Sequence, residues 1–472
     1  MLDLIAEITD SLNVFLTRSK SKIKEVPDGQ VMLNFITPLK NFRFDDKIDS
    51  LSKSYPRSFY FDKPSENNSF LALDEVFTIS KNGDGRFAAT EKKLKGWREK
   101  LISNQIEFDE FDFPLFVGGM KFTVEHSDEN WKDFNDSTWF LPEIVFYKKD
   151  DKQFLIFNSI VQANSSEDKT IKKLRTKLEV IFKCPEDSSK HITLKSINGN
   201  TPKEKKKWKN IVKQSLDKIQ DGILQKVVIS RQVEIIFSGE PSVNVLLSKL
   251  KDTNNHCYLF AYRNLKSAFF GASPELLLKV NKESLVSEAL AGSTRRGNNE
   301  NEDNELETLL LNSEKNLYEH KLVVEHITNT LKSYAEAEPE IDKLSVRKLS
   351  NIQHLLTKVS CQNNTGSNIF GLVKELFPTP AVCGVPKDAA LNLIEDLETE
   401  QRGLYSGIVG WFNFNNSVEL VVGIRSALNV GNKIYAYAGA GIVADSKPDD
   451  EYSETEIKLN SILSVFSQNA KS

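Results

Sequence analysis

Residues 448–461 (PDDEYSETEIKLNS) place Glu451, Glu454 and Lys458 three and four positions apart, so on a helix all three share one face. Two carboxylates presented together can hold a hard cation through oxygen. On an arbitrary helix the same spacing reads as an exposed Glu–Lys pair. The preceding segment, residues 435–446 (YAYAGAGIVADS), changes that reading. Gly439 and Gly441 let backbone N–H groups come close to an anion, just ahead of a helix N-terminus with its positive dipole end. A carboxylate site beside a metal site is the chemistry this pattern implies. The G-x-G-x-x-A match to a dinucleotide fingerprint is discounted, because no βαβ unit surrounds it.

Four further segments carry chemistry-bearing residues in a fixed order: LQKVVISR at 224–231, FGASPELL at 270–277, LAGSTRRG at 290–297 and FPTPAVCGVP at 377–386. Together with AGAGIV, DS-x-P and EYSETEIKL near the C-terminus, these resemble the signature of the chorismate-utilising enzymes of the menaquinone, siderophore and tryptophan pathways. The resemblance is strong from about residue 208 to 463. Weaker matches, FYFDKP at 59–64 and FVGGM at 116–120, extend it towards the N-terminus.

That resemblance implies a fold and a set of roles. The expected fold is α/β, with large antiparallel sheets in a two-layer sandwich and helices outside, like anthranilate synthase component I, and with the site in a cleft between the layers. Chorismate carries two carboxylates and a leaving hydroxyl, so its enzyme needs a cation, an anion site, an acid and a base. By motif position, Glu319 and Glu454 are expected to hold Mg²⁺, with Glu451 a further ligand through water. Arg425 and Tyr405 are expected at a substrate carboxylate, with Lys458 and the Gly439 to Gly441 backbone completing the anion pocket and His354 on the substrate side. Ala381 belongs to the segment that shapes the pocket.

The same resemblance assigns Lys226 as the base that activates water for attack at C2, and Glu275 as the acid for the departing C4 hydroxyl. Ala291 occupies the place where aminodeoxychorismate synthases carry a nucleophilic Lys, which disfavours that covalent route. Anthranilate synthases depart at Lys226. The expected reaction is chorismate to isochorismate. Salicylate synthesis, in which pyruvate is then expelled, is the nearest alternative, followed by anthranilate synthesis and by a non-catalytic binding protein.

The elements that must position these residues follow from periodicity and turn signals. A helix is expected over 201–219 and a β-branched strand over Lys226–Phe237, followed by short strands at 256–263, 267–271, Leu276–Val280 and 284–290. Helices are expected at 313–334, capped by Ser313, and at 368–376 and 388–397. Strands follow at 405–414, 418–430 and 433–439, and a closing helix at 446–466. The acidic stretch 297–307 reads as a mobile loop, and the Gly-rich turn 82–85 lacks the form that cradles phosphate.

Composition sets the frame. The chain has 472 residues, 39% of them hydrophobic, with 29 Phe, enough for a large core. Its net charge of −4 offers no basic field for nucleic acid, and the lysine run at 203–207 reads as a solvated helix face. Four scattered cysteines form no C-x-x-C pair, and residues 1–16 are amphipathic and acidic rather than signal-like. No apolar run is long enough for a membrane span. The expectation is a cytoplasmic monomer or weak homodimer, with residues 1–200 and 201–472 as parts of one integrated domain.

Overall fold

The computed structural model describes residues 2–26, 29–40, 42–108, 110–124, 128–162, 165–187, 192–363 and 368–467. Two large sheets face each other, one of 13 strands and one of 10, with eleven α-helices among the described residues. Pairing is antiparallel almost throughout. Both sheets draw strands from either side of residue 200: the strand Tyr258–Asn264 pairs with Arg57–Lys63 in the first, and Ile408–Phe412 pairs with Phe116–Met120 in the second.

Three layers of apolar side chains hold this together. Between the sheets lies an aromatic core that includes Phe59, Phe61 and Phe70 from one and Phe140, Trp411 and Val421 from the other. Outside the first sheet pack helices Leu2–Glu25, Glu167–Lys183, Val243–Thr253 and Pro448–Ser467, whose Leu12, Leu178, Leu247 and Ile462 are buried. Outside the second pack Arg86–Arg98, Glu314–Lys332 and Ile369–Leu376. The amphipathic start is thus a docked helix; Met1 lies outside the described residues. No described helix is long and apolar enough to cross a membrane.

Most expected elements fall within a few residues of their sequence positions. The strand Lys226–Phe237 matches end for end, and Ser313 caps the helix Glu314–Lys332 by accepting from the Asn316 N–H. Three expectations need correction. The stretch 297–307 is not a loop: residues Glu300–Leu311 form a helix, capped by the Asn299 side chain. Glu300, Glu302 and Asp303 sit in the first turn, where the helix dipole favours them, and Asp303 is gripped by the Arg296 guanidinium at 2.7 and 2.9 Å and by the Gly297 N–H at 2.9 Å. An acid-rich run that looked disordered is a helix N-terminus.

The second correction is that 418–430 is not one strand. Val418–Val422 lies in the second sheet and Ser426–Val430 in the first, and residues 423–425 carry the chain across between the layers. Arg425 takes a left-handed φ of 50° at this step. The third concerns 405–414, where the strand begins only at Ile408, because residues 402–407 form a tight turn with Ser406 at φ 57°.

Phe412 pins the second sheet to its outer helix: its ring lies 5.2 Å from Phe116 and Phe370 and 5.3 Å from Trp139. Truncation to Ala should leave a void that this interlocked group cannot close, costing about 3–5 kcal/mol, measured as a lowered midpoint in urea unfolding followed by circular dichroism.

Candidate active site

Two neighbouring crossovers between the sheets create the site. The chain leaves the first sheet at Ser273, enters the second at Leu276, and exposes Glu275 at the step. It returns through 423–425, exposing Arg425. The strands on either side are hydrogen-bonded partners, Gly271 with Ser426 and Leu276 with Val421, so the two steps lie side by side. Glu275 is fixed through its backbone: its N–H donates to Ser273 Oγ at 3.2 Å and its carbonyl accepts from the Val422 N–H at 3.2 Å.

Glu275, Glu319, His354, Ala381, Tyr405, Arg425, Gly439, Gly441 and Lys458 all line one cavity of about 610 Å³ including its mouth. Lys226 stands just behind this wall, fully buried, with Nζ 2.9 Å from Glu319 Oε1. The structure therefore brings together nine of the twelve expected residues at the cavity surface and a tenth against it. Glu451 and Glu454 sit on the neighbouring helix Pro448–Ser467.

Arg425 is the strongest sign of what the cavity takes. Its side chain is buried, its Nη2 donates to His354 Nε2 at 2.8 Å, and its Nε and Nη1 have no acceptor among the described residues. Burial pushes this guanidinium down to about 10. Unmet donors on a buried cation are costly, so the site is built for an anion, and a carboxylate matches a guanidinium fork. His354 is held well below its ordinary value by burial and then by the Arg425 and Lys458 charges. A neutral imidazole accepting from Arg425 at Nε2 must carry its proton on Nδ1, which leaves it to donate to Ser293 Oγ at 2.8 Å.

The carboxylates divide into two kinds. Glu275 forms no ion pair among the described residues: burial pushes it up to about 8 against the pull of Lys226 and Lys458, and its Oε1 has no hydrogen-bond partner there. At neutral pH it is an acid carrying a proton. Glu319, by contrast, is raised by burial but lowered more by Lys226, with help from Lys458 and Lys315, and stays below the ordinary carboxylate range.

Each expected metal carboxylate carries its own lysine. Glu319 has Lys226, Glu454 has Lys458 at 2.6 Å, and Glu451 has Lys315. Lys315 feels the charges of Glu451, Glu454 and Glu319 together. The Glu451 carboxyl is fully buried and pushed up to about 7, first by burial and then by Glu454, and its Oε2 is unpartnered. Among the described residues no three His, Cys, Asp or Glu side chains close on one point. Three neighbouring carboxylates whose charges all reach Lys315, one of them with an orphaned oxygen, nevertheless fit a hard cation.

Several participants escaped the sequence reading. Lys315 lies one helical turn before Glu319, a spacing that was there to be seen. Ser293 and Gly292 belong to an irregular step in the Ser284–Arg295 strand, where Gly292 has φ 78°. Tyr437 stacks on Tyr405, with ring centres 5.0 Å apart. These last residues lie inside the segments LAGSTRRG and YAYAGAGIVADS, whose other members drew the sequence reading.

Layered sheets, a cavity at their crossover, a protonated buried acid and an unsatisfied buried arginine define an enzyme for small carboxylate substrates. The family model for chorismate binding enzymes matches residues 19–467. Isochorismate synthase MenF of Bacillus subtilis is 32% identical over 75% of this chain and 74% of its own length. The salicylate biosynthesis isochorismate synthase of Pseudomonas aeruginosa is 28% identical over 86% and 84%. MenF, the menaquinone-specific isochorismate synthase from Escherichia coli, shares the fold with a TM-score of 0.77 over 96% of this chain and 100% of that one, at 22% identity. The chain belongs to the chorismate-binding enzyme family.

Gly441 shows how tightly the site is drawn. A Cβ there would stand 2.3 Å from Glu319 Oε1 and 3.0 Å from Lys226 Cε. Gly441→Ala should leave the protein folded by circular dichroism yet slow chorismate consumption about a hundredfold, because displacement of the pair by the order of an ångström carries that cost.

Proposed function

We propose that this protein is an isochorismate synthase that adds water at C2 of chorismate while the C4 hydroxyl departs, as part of menaquinone or siderophore biosynthesis. The observation that carries this reading is the pairing of a protonated, buried Glu275 with an arginine whose two free donors await a carboxylate. The isochorismate synthases among its relatives support the same reading.

The chemistry balances with one acid and one base. Water loses a proton and forms the C2–O bond, the ring double bonds each move one place, and the C4–O bond breaks as Glu275 gives its proton to the leaving hydroxyl. Lys226 takes the proton from the attacking water. To do so it must present a free amine, so the Glu319 carboxylate needs another cation. Mg²⁺ held by Glu319 and Glu454, with Glu451 through water, would supply that charge and grip the ring carboxylate. Arg425 pairs with a substrate carboxylate, supported by neutral His354; Tyr405 and Lys458 complete the polar walls. Ala291 offers no nucleophile. Four unpaired cysteines support a reducing, cytoplasmic setting.

Incubation with chorismate and Mg²⁺, followed by chromatography, should yield a chorismate–isochorismate mixture that approaches the same ratio from either side. Excess chelator should abolish turnover and restored Mg²⁺ should recover it. One pyruvate released per chorismate consumed would replace this reading with salicylate synthesis, and full turnover in chelator would remove the metal.

Lys226→Ala and Glu275→Gln should each lower kcat by about 10²–10⁴ while chorismate binding changes less. The acid form of Glu275 exists below its value of about 8, so wild-type kcat/KM should fall as pH rises through about 8. Glu275→Gln cannot titrate, and its residual activity should lack that limb; a wild-type profile flat from pH 7 to 9 would sink the acid assignment.

A further inference from the structure

We propose that the buried Glu398–Arg402 pair is a positioning device that fixes the walls of the chorismate cavity against one another, an inference that rests on the function proposed above. The strand Lys226–Phe237 has one edge only partly covered. Gly384–Val385 pairs with Lys226 and Val227, and Leu194–Asn198 pairs with residues 234–237. Between those two short partners no described strand lies beside Val228 and Ser230 on this side; the Val228 N–H donates to Cys383 O at 2.7 Å, and the groups beyond it need other partners.

The ion pair takes that place. Arg402 Nη2 donates to Val228 O at 2.7 Å, while the Glu398 carboxylate accepts from the Ser230 N–H at 2.6 Å and from Ser230 Oγ at 2.9 Å. The two side chains meet at 2.6 and 2.9 Å and are only 3% and 6% exposed. Arg402 Nη1 then reaches the loop and donates to Val382 O at 2.8 Å. Its own carbonyl accepts from the Tyr405 N–H at 2.9 Å. Arg402 therefore ties together three elements: its guanidinium joins the strand bearing Lys226 to the loop bearing Ala381 and Val382, and its backbone holds the turn bearing Tyr405. All three line or back the cavity, and the pair itself is absent from its wall. It acts through the geometry of others.

Arg402→Lys separates geometry from charge, because Lys keeps the pairing with Glu398 but cannot reach Val228 O and Val382 O at once through a planar fork. Ser230→Ala removes a single contact and spares the backbone. Both are compared with wild type for unfolding midpoint and for kcat and KM with chorismate per folded protein. Arg402→Lys should raise KM and lower kcat/KM about tenfold or more, since small displacements of positioned groups carry costs of that order, and Ser230→Ala should move both in the same direction by less. Folded variants with wild-type constants overturn the proposal, as does an Arg402→Lys that fails to fold beside a Ser230→Ala with unchanged constants. If wild type itself does not convert chorismate, the proposed function fails instead.

Discussion

Lys226 and Glu319 meet 2.9 Å apart in a place where Lys226 has no contact with solvent. Stripping either charge of its partner in such an interior costs about 3–5 kcal/mol, so the two are bound to appear together. The surrounding structure is arranged to permit that meeting. Lys226 opens one strand, Glu319 rides the helix Glu314–Lys332, and the antiparallel neighbour Lys433–Ile442 contributes Gly441 because no side chain fits between them. The same carboxylate that stabilises the lysine also restrains it, which ties any base chemistry at Lys226 to the supply of a second cation at Glu319.

Charge is balanced locally rather than across the site. Lys315, Lys458 and Lys226 each form an ion pair with one carboxylate, whereas Arg425 and Glu275 form none among the described residues and keep polar atoms without a hydrogen-bond partner. Those two unanswered groups stand at adjacent crossovers between the sheets. A strand that stays in its sheet spends its backbone groups on its neighbours, and its side chains alternate between faces; a chain stepping between layers can turn consecutive side chains into the gap. The reactive groups therefore sit where the regular structure stops, and the aromatic core on one side and the helices on the other hold that interruption still.

How much of this was legible in the sequence depends on the range of the physics involved. Residue types, the 3.6-residue face carrying Glu451, Glu454 and Lys458, the Ser313 cap and the β-branched run Lys226–Phe237 are set by local stereochemistry, and each stands where the pattern put it. The helix Glu300–Leu311 was lost because acidic residues mark a helix N-terminus only when a cap and a partner, here Asn299 and Arg296, are weighed with them. The break at 423–425 carries a local mark, Gly423 and Arg425 amid apolar residues, but only the presence of a second sheet makes the chain cross there.

The sequence by itself determined which acids, bases and glycines are available and which helices and strands bear them, because those depend on neighbours a few residues apart. Tertiary structure decided which lysine answers which carboxylate, which acid keeps its proton, and which arginine donors stay empty. Those outcomes follow from burial and from distances between segments remote in the chain, and neither quantity exists until the sheets have closed on one another.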